Sequence, residues 1–263
     1  MSTYDGYESY YARGRRIGIS KSLLLRDVEA GGGAIAVREE SGLPMLTIDG
    51  QPIAPAMSRT RHLQLALKRW AFDVPLATLA GLTLLPVLLI IALAIRLSSR
   101  GPVLFGQVRL GLDGKSFRLL KFRTLRIDDC DDSGLSQTEA DDGRQTRVGK
   151  FLRATSLDEL PQLWNIIVGE MSVIGPRPMV EGQQADGRDY REVVPYYDYR
   201  QLMKPGLSGW AQANGLRGST RELGKAKQRI DHDCAYIQNF SLGLDITIIA
   251  RTIIREFLTG SGV

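Results

Sequence analysis

The chain of 263 residues contains only two cysteines and two histidines. Cys130 and Cys234 lie far apart and form no Cys-x-x-Cys pair, which argues against a disulfide framework and against a zinc site. The run that begins at His232 could supply two metal ligands, but ordinary solvated or half-buried side chains are the favoured interpretation. Because histidine is so scarce, acid–base chemistry is expected to come from carboxylates. The sequence also lacks a Walker A loop, a dinucleotide fingerprint and zinc-ligand spacing.

Charge is unevenly distributed along the chain. The net charge is +5, and a composition of 43% hydrophobic and 24% charged residues excludes wholesale disorder. Residues 128–142 hold seven acids and neither lysine nor arginine, so the rest of the chain is strongly basic. A basic body fits an anionic partner such as a phosphorylated substrate or a membrane surface. Nucleic acid is not expected as a partner.

A charge-free apolar segment runs from Val74 to Ile95. As a helix, these 22 residues would be about 33 Å long, enough to reach across a bilayer core of roughly 30 Å. A buried core helix is the alternative. So long a run without charge favours a segment embedded in a membrane.

Basic residues flank this segment on both sides, and Pro86 lies near its middle. Since Lys- and Arg-rich flanks prefer the cytoplasm, a spanning helix would have to leave one basic flank outside. Pro86 cannot donate a hydrogen bond to the Leu82 carbonyl, so it kinks or breaks the helix. Both features favour a re-entrant helix that returns to the same face over a kinked spanning helix.

Two short hairpins are predicted on either side of the apolar segment. The first lies within residues 34–54, where two apolar stretches are separated by polar residues, and the tail of residues 1–33 is expected to be poorly ordered. The second joins Val103–Arg109 to Ser116–Arg123 through an Asp-Gly turn at 113–114. Helical patterning follows at 148–153, 160–168, 220–238 and 244–257. The last of these is amphipathic, and docking on the core is favoured over lying in the membrane interface.

Two adjacent carboxylates, Asp158 and Glu159, form the strongest candidate site in the polar part of the chain. The purely structural alternative is a capping box with Ser156 as N-cap. Pro161 fits better in the first turn of a helix that is capped by Asp158. In either register the carboxylates lie beside free helix amides, where phosphate also binds well. A bound Mg²⁺ would relieve the repulsion between the two acids and suit a phosphorylated substrate.

Four basic residues could contact such a substrate: Lys121, Arg123, Arg153 and Arg177. Arg177 is held between two prolines, and a convergent arginine pair would clamp a diphosphate. Surface charge is the alternative for each basic residue taken singly.

Two further segments are candidates for binding. The Gly- and Asn-rich segment 204–215 could hold a ring closely or be a structural turn. Asp129 and Asp131 match the Asp-x-Asp pattern of many soluble glycosyltransferases, although a solvated acidic loop is the favoured interpretation there.

Six motifs occur in a fixed order from about residue 68 to the end of the chain. They are Lys68-Arg69-x-x-Phe72-Asp73, Gly101-Pro102-Val103-x-Phe105, Lys121-Phe122-Arg123-Thr124, Leu152-Arg153-x-x-Ser156-Leu157-Asp158-Glu159-Leu160-Pro161-Gln162-Leu163, Gly169-x-Met171-Ser172-x-x-Gly175-Pro176-Arg177-Pro178 and Pro205-Gly206-x-x-Gly209-x-Ala211-Gln212. Together they closely resemble the bacterial sugar transferases, the monotopic phosphoglycosyl transferases that begin polysaccharide assembly.

The resemblance implies that a sugar-1-phosphate passes from a UDP-sugar to undecaprenyl phosphate, with release of UMP. It implies that Asp158 is the nucleophile of a covalent aspartyl-phosphosugar intermediate and that Glu159 assists in metal binding or proton handling, with Mg²⁺ as cofactor. Arg153 and Arg177 match the phosphate-contacting arginines of the family. It also implies a membrane helix broken near a proline, here Pro86, and an inner-membrane protein of bacteria facing the cytoplasm.

Three departures from the family pattern affect these expectations. Leu85 stands where members often carry serine, so the break would rest on proline alone and a straighter helix is conceivable. Leu125 replaces a common methionine, which is expected to be harmless. The segment 214–218 resembles the branch that transfers hexoses to initiate exopolysaccharide synthesis, which suggests glucose or galactose; the nucleotide-sugar candidates are therefore Gln212, Asn214, Gly215 and Arg217.

The expected fold is α+β, mainly helical and membrane-associated, with small hairpins and interfacial amphipathic helices. Residues 1–67 would form an N-terminal extension, 68–100 the re-entrant helix and 101–263 a cytosolic catalytic domain. The sequence does not decide whether the chain forms a homo-oligomer. Two competing functions stay open: a metal-dependent glycosyltransferase that uses Asp129 and Asp131, and a non-catalytic membrane adaptor in which the acid pair only caps a helix.

Overall fold

The computed structural model describes residues 35–48, 50–53, 59–126, 143–216, 218 and 222–259. The N-terminal tail, the Asp129–Asp131 pair and Arg217 lie outside the described residues. Just over half of the described residues are helical (54%), and strands make up small sheets between them. The prediction of a mainly helical α+β fold is confirmed.

The strands form hairpins and one short parallel pair, all of them small. The first sheet is antiparallel in the order β1-β2-β3, β4 pairs with β5 and β7 with β8 in antiparallel fashion, and β6 runs parallel to β9. Their bounds are β1 Ile35–Glu40, β2 Leu43–Ile48, β3 Gln51–Pro52, β4 Leu104–Leu110, β5 Ser116–Phe122, β6 Ser172–Ile174, β7 Gln184–Ala185, β8 Arg188–Asp189 and β9 Gly206–Ser208.

The helices surround these strands. A π-helical turn at Lys68–Asp73 joins the first two helices into one continuous rod, and short 3₁₀ turns occur at 112–114, 157–159 and 197–202. The helices are α1 Arg59–Leu67, α2 Val74–Thr83, α3 Leu85–Ser98, α4 Arg147–Ala154, α5 Gln162–Val168, α6 Tyr190–Val193, α7 Trp210–Ala213, α8 Leu223–Asn239 and α9 Leu242–Thr259.

The charge-free segment folds as two helical arms that meet at a bend. Helix α3 is bent by 62° away from the axis of the rod Arg59–Thr83, with Leu84 at the break. Within the described part of the chain, length and composition allow no single helix to cross a membrane, but the bent pair together passes both criteria. The break predicted near Pro86 is therefore present.

The bend does not depend on proline alone. Pro86 supplies no donor, and two residues before Leu85 the Thr83 hydroxyl donates to the Leu79 carbonyl at 2.8 Å. A threonine that bonds back to the preceding turn bends a helix, which adds to the effect of proline. The straighter helix considered for Leu85 at this position is not what the chain forms.

Both arms present large apolar side chains to their surroundings. Leu82, Ile90 and Leu97 are each exposed by two thirds or more. Such a continuous apolar surface is larger than a water-soluble monomer normally leaves uncovered.

Both predicted hairpins form. In the first, Ser41 and Gly42 take left-handed φ values of 54° and 92° at the turn between β1 and β2. In the second, Asp113 and Gly114 do the same at 55° and 71°, a conformation that aspartate and glycine tolerate best.

The first sheet is packed onto helix α8. The Gln238 side chain accepts a hydrogen bond from the Leu46 amide at 2.7 Å and donates to the Leu46 carbonyl at 2.8 Å, as a neighbouring strand would. Met45 is fully buried in a core cluster together with Tyr190 and Ile230. The predicted N-terminal extension of residues 1–67 therefore contains a sheet that belongs to the same packed body.

The apolar stripe of helix α9 is partly docked on the core and partly exposed. Ile248 is fully buried in a core cluster with Trp210, whereas Ile246, Ile253 and Ile254 are each at least half exposed. Docking on the core is confirmed for one side of the helix, and the other side continues the exposed apolar surface.

Gly149 in α4 is the clearest packing constraint near the candidate site. A Cβ atom at this position would lie 2.1 Å from the Thr124 carbonyl oxygen, which is backbone and cannot move aside cheaply. At Gly224, in the first turn of α8, the same atom would meet nothing within 4 Å.

We expect Gly149→Ala to destabilise the protein by about 2 kcal/mol or more, because overpacking against backbone outweighs the helical preference for alanine. Gly224→Ala should leave stability unchanged or slightly higher. The measurement is the thermal unfolding midpoint of both variants in the same detergent. Equal midpoints for the two variants would contradict the packing described for Gly149.

Candidate active site

The two adjacent carboxylates lie in the 3₁₀ turn Leu157–Glu159, ahead of helix α5. Neither predicted capping register occurs. Ser156 has a left-handed φ of 55° and its side chain makes no capping hydrogen bond. The residue that precedes the helix is Pro161, whose helical φ of −60° starts the helix at Gln162.

Glu159 is held by two cations. Its Oε1 accepts hydrogen bonds from Lys121 Nζ at 2.8 Å and from Arg177 Nη2 at 2.7 Å, while Arg177 Nη1 lies 3.5 Å from Oε2. Burial alone would raise the pKa of Glu159, but Arg177 and Lys121 together hold this pKa far below its usual range. The Glu159 carboxylate is therefore ionised and committed to the two cations.

Asp158 is buried but much less engaged. Its closest described cation is Lys121, with Nζ 3.9 Å from Oδ2, and among the described residues no hydrogen bond reaches its carboxylate. Burial raises the pKa of Asp158; Lys121 opposes this rise, and the negative charge of Glu159 adds to it. Of the two acids, Asp158 is the one whose oxygens accept no hydrogen bond from the described residues.

Arg153 reaches the same region from the last turn of α4. Its Nε donates to the Thr124 hydroxyl at 2.9 Å, and its charge lowers the pKa of Asp158. Lys121, Arg153 and Arg177 are thus brought together around the acid pair, as the sequence predicted.

Arg123 is not part of this cluster, in contrast to the prediction. It is buried, its Nε donates to the Pro102 carbonyl at 2.6 Å, and its Nη2 donates to the Ser99 carbonyl at 3.0 Å. Side-chain alternation along β5 would place Lys121 and Arg123 on the same face, but the strand ends at Phe122, so Arg123 does not follow that alternation. Arg123 secures the chain that leaves α3.

The Gly-Pro-Arg-Pro turn that carries Arg177 is fixed from behind. Arg200 Nη2 donates to the Arg177 carbonyl at 2.6 Å and also pairs with Asp233 at 2.6 Å, an ion pair that is buried on both sides. Gly206 packs against Gly175 so closely that an added Cβ atom would lie 2.0 Å from the Gly175 nitrogen. The guanidinium of Arg177 therefore emerges from a rigid base.

The nucleotide-sugar candidates lie on α7 and just after it. Gln212 is buried and donates to the Leu207 carbonyl at 3.3 Å, Asn214 donates to the Trp210 carbonyl at 2.7 Å, and Gly215 has a φ of 89°. Within the described ranges, no hydrogen bond or ion pair joins these three residues to Asp158 or Glu159. Their proposed role in binding stays a prediction.

Sequence reasoning missed three arginines in this region: the buried Arg200 and Arg229, and the half-buried Arg109. The position of Arg109 could have been noticed, because Arg109 and Lys121 lie on the same face of the hairpin β4–β5. The other two come from distant parts of the chain and left no local signal. Asp233, which belongs to the run that begins at His232, is the ion-pair partner of Arg200.

Of the two acids, only Asp158 is placed to bind a magnesium ion, and it would do so together with other ligands. The described residues contain no cluster of three or more metal-ligating side chains. Magnesium is commonly held by one or two carboxylates together with substrate phosphates, and it keeps several waters. Asp158 suits that arrangement, whereas the Glu159 oxygens already accept hydrogen bonds from two cations.

Comparison with known proteins finds similar sequences over most of the chain. A family model described as bacterial sugar transferase matches residues 63–259. An exopolysaccharide production protein of Rhizobium leguminosarum bv. phaseoli is 48% identical over 200 residues, which make up 76% of this chain and 100% of that protein.

Two further relatives are named UDP-glucose:undecaprenyl-phosphate glucose-1-phosphate transferase. The one from Klebsiella pneumoniae is 41% identical over 81% of this chain, and the one from Escherichia coli (strain K12) is 41% identical over 84%. In both cases the match spans 45% of the relative, so this chain covers less than half of their length. The family match extends over most of the chain and confirms the predicted resemblance: the protein belongs to the bacterial sugar transferase family.

Proposed function

We propose that this protein transfers a hexose-1-phosphate from a UDP-sugar to undecaprenyl phosphate, releases UMP and thereby initiates exopolysaccharide synthesis. The observation that carries the proposal is the pairing of unequal carboxylates: Glu159 is neutralised by two cations, and Asp158 beside it is left open. The two transferases from Klebsiella pneumoniae and Escherichia coli are named for this reaction class and for glucose as the sugar. Glucose is the first donor to test.

In the first step, an Asp158 oxygen attacks the phosphorus that carries the sugar. A carboxylate–phosphorus bond forms, the bond from this phosphorus to the oxygen of the uridine-bearing phosphate breaks, and UMP leaves with the electron pair. Arg177, Lys121 and Arg153 neutralise charge on the phosphate oxygens during this exchange. Because Asp158 is buried, few water molecules solvate its carboxylate, and few have to be displaced before it attacks.

In the second step, a phosphate oxygen of undecaprenyl phosphate attacks the same phosphorus. The carboxylate–phosphorus bond breaks, Asp158 is regenerated as a carboxylate, and the product is a lipid-linked diphosphate sugar. A covalent intermediate allows one site to serve a soluble donor and a lipid acceptor in turn. Bound Mg²⁺, where present, would be held by Asp158 and substrate phosphate oxygens and would supply further charge neutralisation.

The bent helix pair gives this chemistry access to a lipid acceptor. We propose that α2 and α3 dip into the cytoplasmic leaflet of the bacterial inner membrane and return, so that the catalytic residues stay on the cytoplasmic side. The apolar surface of both arms and the 62° bend support this arrangement. The exposed side of α9 would lie against the same bilayer.

Replacement of Asp158 by asparagine should lower UMP release by about a thousandfold or more, because the amide cannot act as the anionic nucleophile. Asp186→Asn is the matched control, since Asp186 lies in an exposed turn with a φ of 52° that asparagine accepts readily. With UDP-glucose and no acceptor, the unmodified protein should release about one UMP per site and gain the mass of a hexose phosphate on the peptide that contains Asp158. Retention of a tenth or more of the activity in Asp158→Asn would refute the assignment.

The pH dependence of kcat/KM should show an acid limb above the usual pKa of an aspartate. Asp158 must be ionised to attack, and its pKa is raised, so activity is full above that pKa and falls as the pH drops through it. Lys121→Met removes the cation that lowers this pKa and should move the acid limb to higher pH. Lys115→Met is the control, because Lys115 lies at the exposed turn of the same hairpin, and it should leave the acid limb of the pH profile unchanged. An unchanged acid limb in Lys121→Met would count against Asp158 as the titrating group.

Membrane attachment can be tested at the bend. Leu82→Asp places a charge on a side chain that is 67% exposed on the helix pair and should weaken binding to phospholipid vesicles at least tenfold, since a charge within a bilayer costs about 3 kcal/mol. Val108→Asp, at a position 61% exposed on hairpin strand β4, serves as the control. Vesicle flotation measures both. Unchanged flotation of Leu82→Asp would exclude insertion of this bend.

A further inference from the structure

The surroundings of Glu159 hold more cations than anions. Arg177 pairs with Glu159, and Arg200 pairs with Asp233. Two more arginines, Arg109 and Arg229, lie close enough to Arg177 for its charge to act on both of them. In the described part of the chain neither forms an ion pair of its own.

Arg109 is brought to this place by the second hairpin. Residue 109 shares a hairpin face with Lys121, and the neighbouring amide of Leu110 donates to the Met179 carbonyl at 2.9 Å, which ties the strand to the turn that carries Arg177. The Nε atom of Arg109 is buried and has no hydrogen-bond partner within the described residues, while Nη2 donates to Gln107. Burial and the nearby Arg177 lower the pKa of Arg109 to about 10.

Arg229 reaches the cluster from the opposite side, on helix α8. It lies one helical turn before Asp233, and its Nη2 donates to the Gly218 carbonyl at 3.1 Å. Its Nε is also buried without a hydrogen-bond partner in the described part of the structure. Burial and Arg177 lower the pKa of Arg229 to about 10, although Asp233 opposes this. Gly218 belongs to the segment 214–218 that resembles the hexose-transferring branch.

Two guanidinium groups with unused donors are costly to keep away from water. Glu159 and Asp233 offset these two charges only in part, and a buried donor without an acceptor adds to the cost. A ligand that supplies at least two negative charges and several oxygen acceptors would remove both penalties. A diphosphate has that charge and that set of acceptors, and guanidinium groups bind phosphate oxygens in a bidentate manner.

We propose that Arg109 and Arg229 bind the diphosphate of the nucleotide-sugar donor beside Arg177. This inference rests on the proposed function and adds two binding residues to it. As the bond between the two phosphorus-bearing groups breaks, negative charge grows on the departing UMP phosphate, and these arginines stabilise it. Arg229 also donates to the Gly218 carbonyl, so binding of the donor and the position of Gly218 would be coupled.

The experiment compares Arg109→Gln, Arg229→Gln and the corresponding lysine variants with the unmodified protein. Arg61→Lys is the control, because Arg61 is a partly buried arginine that donates to the Ile237 carbonyl at 2.7 Å and belongs to no part of the active site. The measurements are the KM for UDP-glucose, the KM for undecaprenyl phosphate and the affinity for UDP and for uridine by calorimetry.

Each glutamine variant should raise the KM for UDP-glucose at least tenfold and weaken UDP binding equally, with no change in the KM for undecaprenyl phosphate. Uridine affinity should not change, because uridine lacks the diphosphate. Lysine should restore part of the loss, since it keeps the charge but not the planar fork. A glutamine variant that does not fold is replaced in this comparison by its lysine variant, for which a threefold or greater loss of UDP affinity is expected.

Three results would overturn the proposal. Unchanged UDP affinity in the folded variants would show that the arginines are only structural, as would a loss of thermal stability and kcat without a change in donor KM. A rise in the KM for undecaprenyl phosphate alone would assign the arginines to the lipid phosphate. If the unmodified protein turns over no UDP-sugar but binds UDP in a manner that needs Arg109 and Arg229, the reaction proposed above fails while the diphosphate site stands.

Discussion

The ion-paired Glu159 is the interaction on which the site depends. Lys121 from strand β5, Arg177 from the Gly-Pro-Arg-Pro turn and Glu159 itself come from three segments that are distant in sequence, and two hydrogen bonds below 3 Å join them. A buried carboxylate with one partner removed would be strongly unfavourable, so the three segments hold one another in place. The two acids therefore differ in their chemistry. Glu159 accepts hydrogen bonds from both cations, whereas Asp158 accepts none from the described residues.

The same site is tied to the bent helix pair by buried polar groups. The Asp73 carboxylate accepts hydrogen bonds from the Ser172 hydroxyl at 2.8 Å and from the Val173 amide at 3.0 Å, in the strand that leads directly into the Arg177 turn. Lys68, one turn earlier, pairs with the buried Asp245 of α9. The position of the apolar arms therefore sets the position of the Arg177 turn, and the proposed reaction with a lipid phosphate would require such a fixed scaffold.

Some of this structure was predictable because the responsible physics is local. An Asp-Gly turn between alternating strands, a proline within an apolar run and an amphipathic repeat each act over a few residues, and the second hairpin, the bend near Pro86 and helix α9 follow. The caps were not predictable in the same way. Ser156 and Asp158 both have cap-forming side chains, yet the chain places Ser156 in a left-handed conformation and begins α5 after Pro161.

The sequence by itself determined the family, the acid pair, most of the cationic set and the apolar segment with its break, since ordered motifs and local periodicity carry that information. Only the tertiary structure decided which basic side chains form ion pairs with which acids. Lys121 and Arg123 are two residues apart, but one binds Glu159 and the other binds the carbonyls of Ser99 and Pro102. Arg229 comes to this region by long-range packing alone, and the free energy of a buried charge depends on neighbours that no local pattern specifies.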